Sequence, residues 1–120
     1  MPIERLRRRR DYRAVARGRR FASPGFVLQA LQSRKHEEPA RFGFTVTKKT
    51  GNAVARNRIR RRLKEAVRLS ADEIAVPGTD YVLIGRRAAL SLPFGKLVDD
   101  LRHGMATLSR TDNAGDRPRT

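Results

Sequence analysis

At 120 residues the chain is one domain's worth of sequence, and its 28 Lys and Arg against 12 Asp and Glu leave a formal net charge of +16. It has no cysteine, and its two histidines, His36 and His103, stand far apart without ligand spacing, which excludes disulfides and thiolate chemistry and leaves no metal site to expect. No run approaches the ~18 apolar residues of a membrane span, and no apolar stretch behind the basic start reads as a signal peptide, so a soluble cytoplasmic protein is expected.

Leu6, Tyr12, Val15 and Ala16 share one helical face, predicting a first helix over residues 8 to 17 with Gly18 as a left-handed cap. Ser23-Pro24-Gly25 signals a turn, and the apolar run 26 to 31 a strand. The polar stretch 33 to 39 reads as a hairpin loop. Arg41-Phe42-Gly43-Phe44-Thr45-Val46-Thr47 alternates, setting Phe42, Phe44 and Val46 on a core face and Gly43, Thr45 and Thr47 on a small, polar one.

Asn52 is a helix N-cap in prospect, for a helix predicted over residues 52 to 69. Ala55, Ile59, Leu63, Ala66 and Val67 form its buried stripe, with Asn57, Arg61, Lys64 and Arg68 opposite. Arg58 and Arg62 flank one side of the wheel, Arg60 the other, and Arg56 lies near the apolar edge. After the Pro77-Gly78 turn, residues 80 to 85 read as a strand buried mid-sheet. Pro93 opens a last helix with Phe94, Leu97, Val98, Leu101, Met105 and Leu108 as its core stripe. Residues 1 to 110 are thus expected to form one α+β domain of order αβββαβα, with a polar tail over 111 to 120.

The cationic charge is lopsided. Residues 1 to 70 carry 21 Lys and Arg against 5 Asp and Glu, whereas residues 71 to 120 carry 7 of each. A field so concentrated faces a polyanion, most often nucleic acid, and the predominance of arginine suits bidentate phosphate contacts and stacking. In the second helix, like charges at i, i+4 each cost a few tenths of a kcal/mol, which a counter-ion partner offsets.

Catalysis by side chains is not expected. The basic half supplies only Glu4, Asp11, Glu37, Glu38 and Glu65 as acids. Asp99 and Asp100 splay on a helix surface, where Asp99 and His103 read as a plain ion pair. Lys48-Lys49-Thr50-Gly51 lacks the spacing of a phosphate loop.

The segment from Lys48 through Gly51-Asn52 and Arg56-Asn57-Arg58 to Arg60-Arg61-Arg62-Leu63-Lys64 closely resembles the RNR signature of the bacterial ribonuclease P protein family. The likeness extends over about residues 5 to 108, through Asp11-Tyr12, Phe26-Val27-Leu28, Gly43 and Val82 to Arg86, in the family's order. It implies a small α/β sandwich with a left-handed βαβ crossover, an exception to the usual hand. It also implies an RNA-binding subunit of a ribonucleoprotein endonuclease that removes the 5′ leader of precursor tRNA. The catalytic RNA subunit would do the chemistry, with Mg2+ held mainly by that RNA. By the same resemblance, Arg56, Asn57, Arg58, Arg60, Arg61, Arg62, Lys64 and Arg68, with Lys48 and Lys49, form the surface that docks on RNA. Tyr12, Gln29, Thr45 and Thr47 line a cleft for the single-stranded leader. Where some relatives carry a second aromatic one turn after Tyr12, this chain has Ala16, so leader stacking rests on Tyr12. A core role for Tyr12, hydroxyl at the rim, is the competing expectation. A ribosomal or ribosome-associated RNA-binding protein is the alternative function, and a DNA-compacting protein a third.

Overall fold

The computed structural model describes residues 4–32, 34 and 37–113. The elements are β1 (Glu4–Arg5), α1 (Arg9–Ala16), β2 (Arg19–Ala22), β3 (Phe26–Gln32), β4 (Arg41–Thr45), α2 (Ala53–Ile74), β5 (Thr79–Gly85) and α3 (Phe94–Asn113). Short 3-10 turns at Lys48–Thr50 and Arg87–Leu90 precede α2 and α3. The five strands form one sheet in the order β1-β4-β5-β3-β2. β5 runs antiparallel to β3 and parallel to β4, which it follows through α2 as a βαβ crossover.

Alternation along the strands divides the sheet's two faces. Phe26, Leu28, Phe42, Tyr81 and Leu83 pack with Ile59, Leu63 and Val67 of α2 and with Leu97, Leu101 and Met105 of α3. Phe42 and Tyr81 stack across β4 and β5 with centroids 4.8 Å apart, and the Tyr81 hydroxyl accepts a hydrogen bond from the Val76 amide at 2.9 Å. On the other face α1 lays Val15 and Tyr12 against Leu6, Leu31, Val82 and Ile84. The layers are therefore two helices, a sheet and one helix, and the expected α+β order holds with β1 added in front.

Several local expectations are corrected. Residues 33 to 39 do not close a hairpin, because β5 inserts between β3 and β4; residues 33, 35 and 36, with the His36 side chain, lie outside the described residues. The hairpin is instead β2–β3, closed at Ser23, whose hydroxyl donates to the Phe26 carbonyl at 2.9 Å. Gly18 is not a left-handed cap, as among the described residues the left-handed region holds Gly78 alone. A Cβ at position 18 would lie 2.2 Å from the Ala30 carbonyl oxygen, so close strand approach demands the glycine. Asn52 does cap α2, its Oδ1 accepting the Ala55 N–H at 2.9 Å. The helix runs past Leu69 to Ile74, since nothing in that stretch breaks it and the Ser70 hydroxyl turns back onto the Ala66 carbonyl at 2.6 Å. α3 reaches Asn113, three residues into the expected tail, and residues 114–120 lie outside the described residues. His103 sets its ring edge against Phe21, centroids 5.4 Å apart, and Asp100 pairs with Lys96 at 3.1 Å.

One ionic cluster sits inside the sheet. Asp80, 2% exposed at the start of β5, accepts Nε and Nη2 of Arg41 at 2.8 and 2.7 Å and Nη2 of Arg34 at 2.9 Å. Arg34 also donates to Glu38 and to the Pro39 carbonyl, and Arg41 lies 3.5 Å from Asp11 of α1. The hydrogen bond to Asp80, opposed by burial and reinforced by the Asp80 and Asp11 charges, raises the Arg41 pKa above its ordinary value. Removing one member of a buried pair strands its partner's charge at a cost of about 3–5 kcal/mol. Asp80→Ala is therefore expected to destabilise the domain by about that amount in urea unfolding, whereas Glu38→Ala, at an exposed pair, shifts stability by about 1 kcal/mol or less.

Candidate RNA-binding surface

α2 brings the predicted cations onto one rod, because its apolar stripe faces the sheet and leaves three sides of the wheel to polar residues. Asn57, Arg58, Arg61, Lys64 and Arg68 are exposed, as are Lys48 and Lys49 in the turn before the helix. Arg56 donates to the Gly51 carbonyl at 3.4 Å and Arg60 to Asn57 Oδ1 at 2.9 Å. Arg68 forms a two-point pair with Glu65, which raises the Arg68 pKa and lowers that of Glu65 through the shared hydrogen bond. The Lys64 ammonium stands over the Phe44 ring, 5.9 Å from its centroid.

Arg62 differs from its neighbours. It is half-buried, donating to the carbonyls of Ala89 and, at 2.7 Å, Leu92. With Arg87, which donates to the Thr50 carbonyl at 2.9 Å, it ties both ends of the β5–α3 connection to α2 and the turn before it. Its guanidinium is spent on protein carbonyls, unlike Arg58 and Arg61, which have no protein partner among the described residues.

The predicted cleft residues are only partly gathered. Tyr12 is half-buried, its hydroxyl donating to the Leu6 carbonyl at 3.3 Å, and its ring lies over Gly43. A Cβ at Gly43 would come within 2.5 Å of the Tyr12 hydroxyl oxygen and within 2.7 Å of two ring carbons, so only glycine admits the aromatic here. Gln29 is buried and pairs with Val82, and Thr45 pairs with Ile84, which puts both on the α1 face. Thr47 lies beyond the end of β4, exposed, with its hydroxyl 3.4 Å from that of Thr50. It is therefore not on the sheet face that alternation assigned to it, because β4 ends at Thr45 and the chain turns into the 3-10 segment.

A cleft of about 380 Å³ joins the two sets of residues. It wraps the edge of β4 past the two-residue β1, with Tyr12 and Gly43 on one side, Phe44 and Val67 on the other, and Arg5, Arg60, Lys64 and Arg68 around it, outnumbering the one carboxylate, Glu4. An apolar floor with aromatic walls under a cationic rim is what a single strand of nucleic acid requires for stacking bases and holding phosphates. Arg5 and Phe44 were not assigned to a site from sequence. β1 is too short for any periodicity, and Phe44 read as core because its strand alternates.

A family model described as Ribonuclease P matches residues 2–109. The ribonuclease P protein component of Gluconacetobacter diazotrophicus is 57% identical over 99 residues, covering 82% of this chain and 84% of its own length. Among solved structures, the Staphylococcus aureus RNase P protein superimposes with a TM-score of 0.69 at 26% identity, over 87% of this chain and 94% of that one. The RNase P protein from Thermotoga maritima does so with 0.70 at 27% identity, over 83% and 93%.

Contact between Tyr12 and Gly43 makes their energetics coupled. Gly43→Ala is expected to cost about 1–3 kcal/mol from overpacking, and most of that cost should vanish in a Tyr12→Ala background. A double-mutant cycle by denaturant unfolding reads the coupling, and additive losses would show that Tyr12 does not rest on Gly43.

Proposed function

On the premise that this chain belongs to the ribonuclease P protein family, we propose that it docks on the RNA subunit through α2 while the cleft at Tyr12 holds the 5′ leader of precursor tRNA. The chain is the protein component of an endoribonuclease that matures tRNA, and family membership sets aside the ribosomal and DNA-compacting alternatives. The observation that carries the proposal is the single cleft in which Tyr12, Gly43 and Phe44 meet Arg60, Lys64 and Arg68. Arg58, Arg61, Lys48 and Lys49, free of the cleft, supply the docking face, with Asn57 and Arg56 at its centre. Gln29 and Thr45 share the sheet face under α1 with Gly43 but do not line the cleft itself. Arg62 contributes by fixing α2 to the β5–α3 connection rather than by touching RNA.

The chemistry belongs to the RNA. Mg2+ chemistry is assigned to the RNA subunit, whose phosphates suit that hard cation. No helix among the described residues is long and apolar enough to cross a membrane; the place of action is that of the substrate, the cytoplasm.

Arg58→Ala with Arg61→Ala should leave the fold intact, as both side chains are exposed and neither lines the cleft, and should weaken assembly with the RNA subunit. Tyr12→Ala should spare assembly and remove a stacking contact of about 1–3 kcal/mol per base. That loss should appear for precursor tRNA carrying a leader and not for mature tRNA. Equal losses for both ligands would make Tyr12 a packing residue. The RNA affinity should also fall steeply with salt, with a logarithmic slope of roughly 0.7 to 0.9 for each phosphate contact. An affinity indifferent to salt would remove the electrostatic basis of the proposal.

A further inference from the structure

The strongest charge outside α2 lies on α1 and has no role in the function above. Arg9, Arg10, Arg13 and Arg17 are exposed on the side of the helix away from Val15, and Arg20 is exposed where the chain enters β2. Asp11, the acid within α1, is turned to Arg41. Among the described residues Arg9, Arg13 and Arg17 have no acidic partner. Their i, i+4 spacing of like charge disfavours the helix, and no side chain caps its start at Arg8.

The topology gives this row a direction. β1 lies at one edge of the sheet and β2 at the other, and α1 is the connection between them. The connection therefore crosses the sheet, with α1 lying over β5 and β3. Its first turn stands at the cleft, where Tyr12 lies over Gly43, and its end points toward the opposite edge, where Gly18 rests against Ala30 of β3. At ~1.5 Å rise per residue, Arg9, Arg13 and Arg17 follow one another at about 6 Å, a step comparable with that between successive phosphates of a strand. The row also lies on the face of the sheet opposite α2, so an RNA docked along α2 does not cover it.

We infer that the outer face of α1 is a second RNA-backbone site, on which Arg9, Arg13 and Arg17 hold the phosphates of the leader upstream of the nucleotides at Tyr12. The inference rests on the reading of the Tyr12 cleft as the leader site. Its occupant is single-stranded, because the strand comes to α1 from a cleft that admits only unpaired bases, and it is recognised by charge, because the outer face presents no aromatic residue between Arg9 and Arg17 to stack on.

The test uses the complex reconstituted with the RNA subunit, and precursor tRNAs whose leaders either just fill the cleft or extend several nucleotides further. The wild type should bind the long-leader substrate more tightly than the short one. Arg9→Gln with Arg13→Gln and Arg17→Gln should lose that advantage while binding the short-leader substrate as the wild type does. The logarithmic salt slope for the long leader should fall by about 2, three contacts at ~0.7 each for a single strand. The corresponding triple Lys variant should keep most of the advantage, and the Gln variant should be no less stable to heat than the wild type. A long-leader advantage that survives in the Gln variant, or is absent from the wild type, overturns the inference. So does a loss equal for long, short and leaderless tRNA, which would place α1 on the RNA subunit or the tRNA body. Tyr12→Ala run in parallel separates the two readings: if it leaves the short-leader increment intact the cleft assignment itself fails, whereas its loss beside an unaffected Gln variant sinks only the α1 site.

Discussion

The buried carboxylate of Asp80 holds together three points that are remote in sequence: the exit of β3 through Arg34, the start of β4 through Arg41, and the start of β5 itself. A carboxylate that is 2% exposed is tolerable only when its oxygens are occupied by cations, and the three guanidinium hydrogen bonds achieve that. With the strand anchored at its first residues, β5 pairs with both neighbours, and the parallel β4–β5 pair obliges α2 to cross the sheet. The cationic helix is thus carried where it is by an anion that never reaches the surface. Asp11, from α1 on the opposite face, lies against the same Arg41, so that helix is tied to the same ionic centre.

Much of this was legible in the residues. The stripes of α2 and α3 and the alternation of β4 follow from apolar spacing alone, and the strongly apolar β5 belongs in mid-sheet because it has no polar face to offer solvent. Strand order was not legible, since a polar stretch after β3 looks the same whether it returns beside that strand or passes over another. Nor was the environment of Asp80, which in sequence is one more acid before an apolar run. At the site, Tyr12 and the α2 cations were identifiable by type and spacing. Their meeting around the end of β4 depends on how briefly β1 covers that edge, a matter of two residues.

The arginines also divide by what they face, a distinction that composition hides. Arg34, Arg41 and Arg62 satisfy buried or half-buried acceptors inside the protein, whereas Arg58, Arg61 and the α1 row keep their donors outward. Net charge therefore overstates the number of phosphates the surface can meet. The same chemistry, a planar fork of donors, serves the core as a tie and the surface as a receptor.

Because β5 is the central strand yet spans Thr79–Gly85, late in the chain, neither β3 nor β4 has its inner partner until then. Most of the sheet's pairing is consequently long-range in sequence, a topology that folds slowly for its size. During synthesis the basic 70 residues leave the ribosome before the strand that organises them exists. The RNA-binding surface is therefore a late product of translation, and no amino-terminal fragment stopping before β5 can carry it.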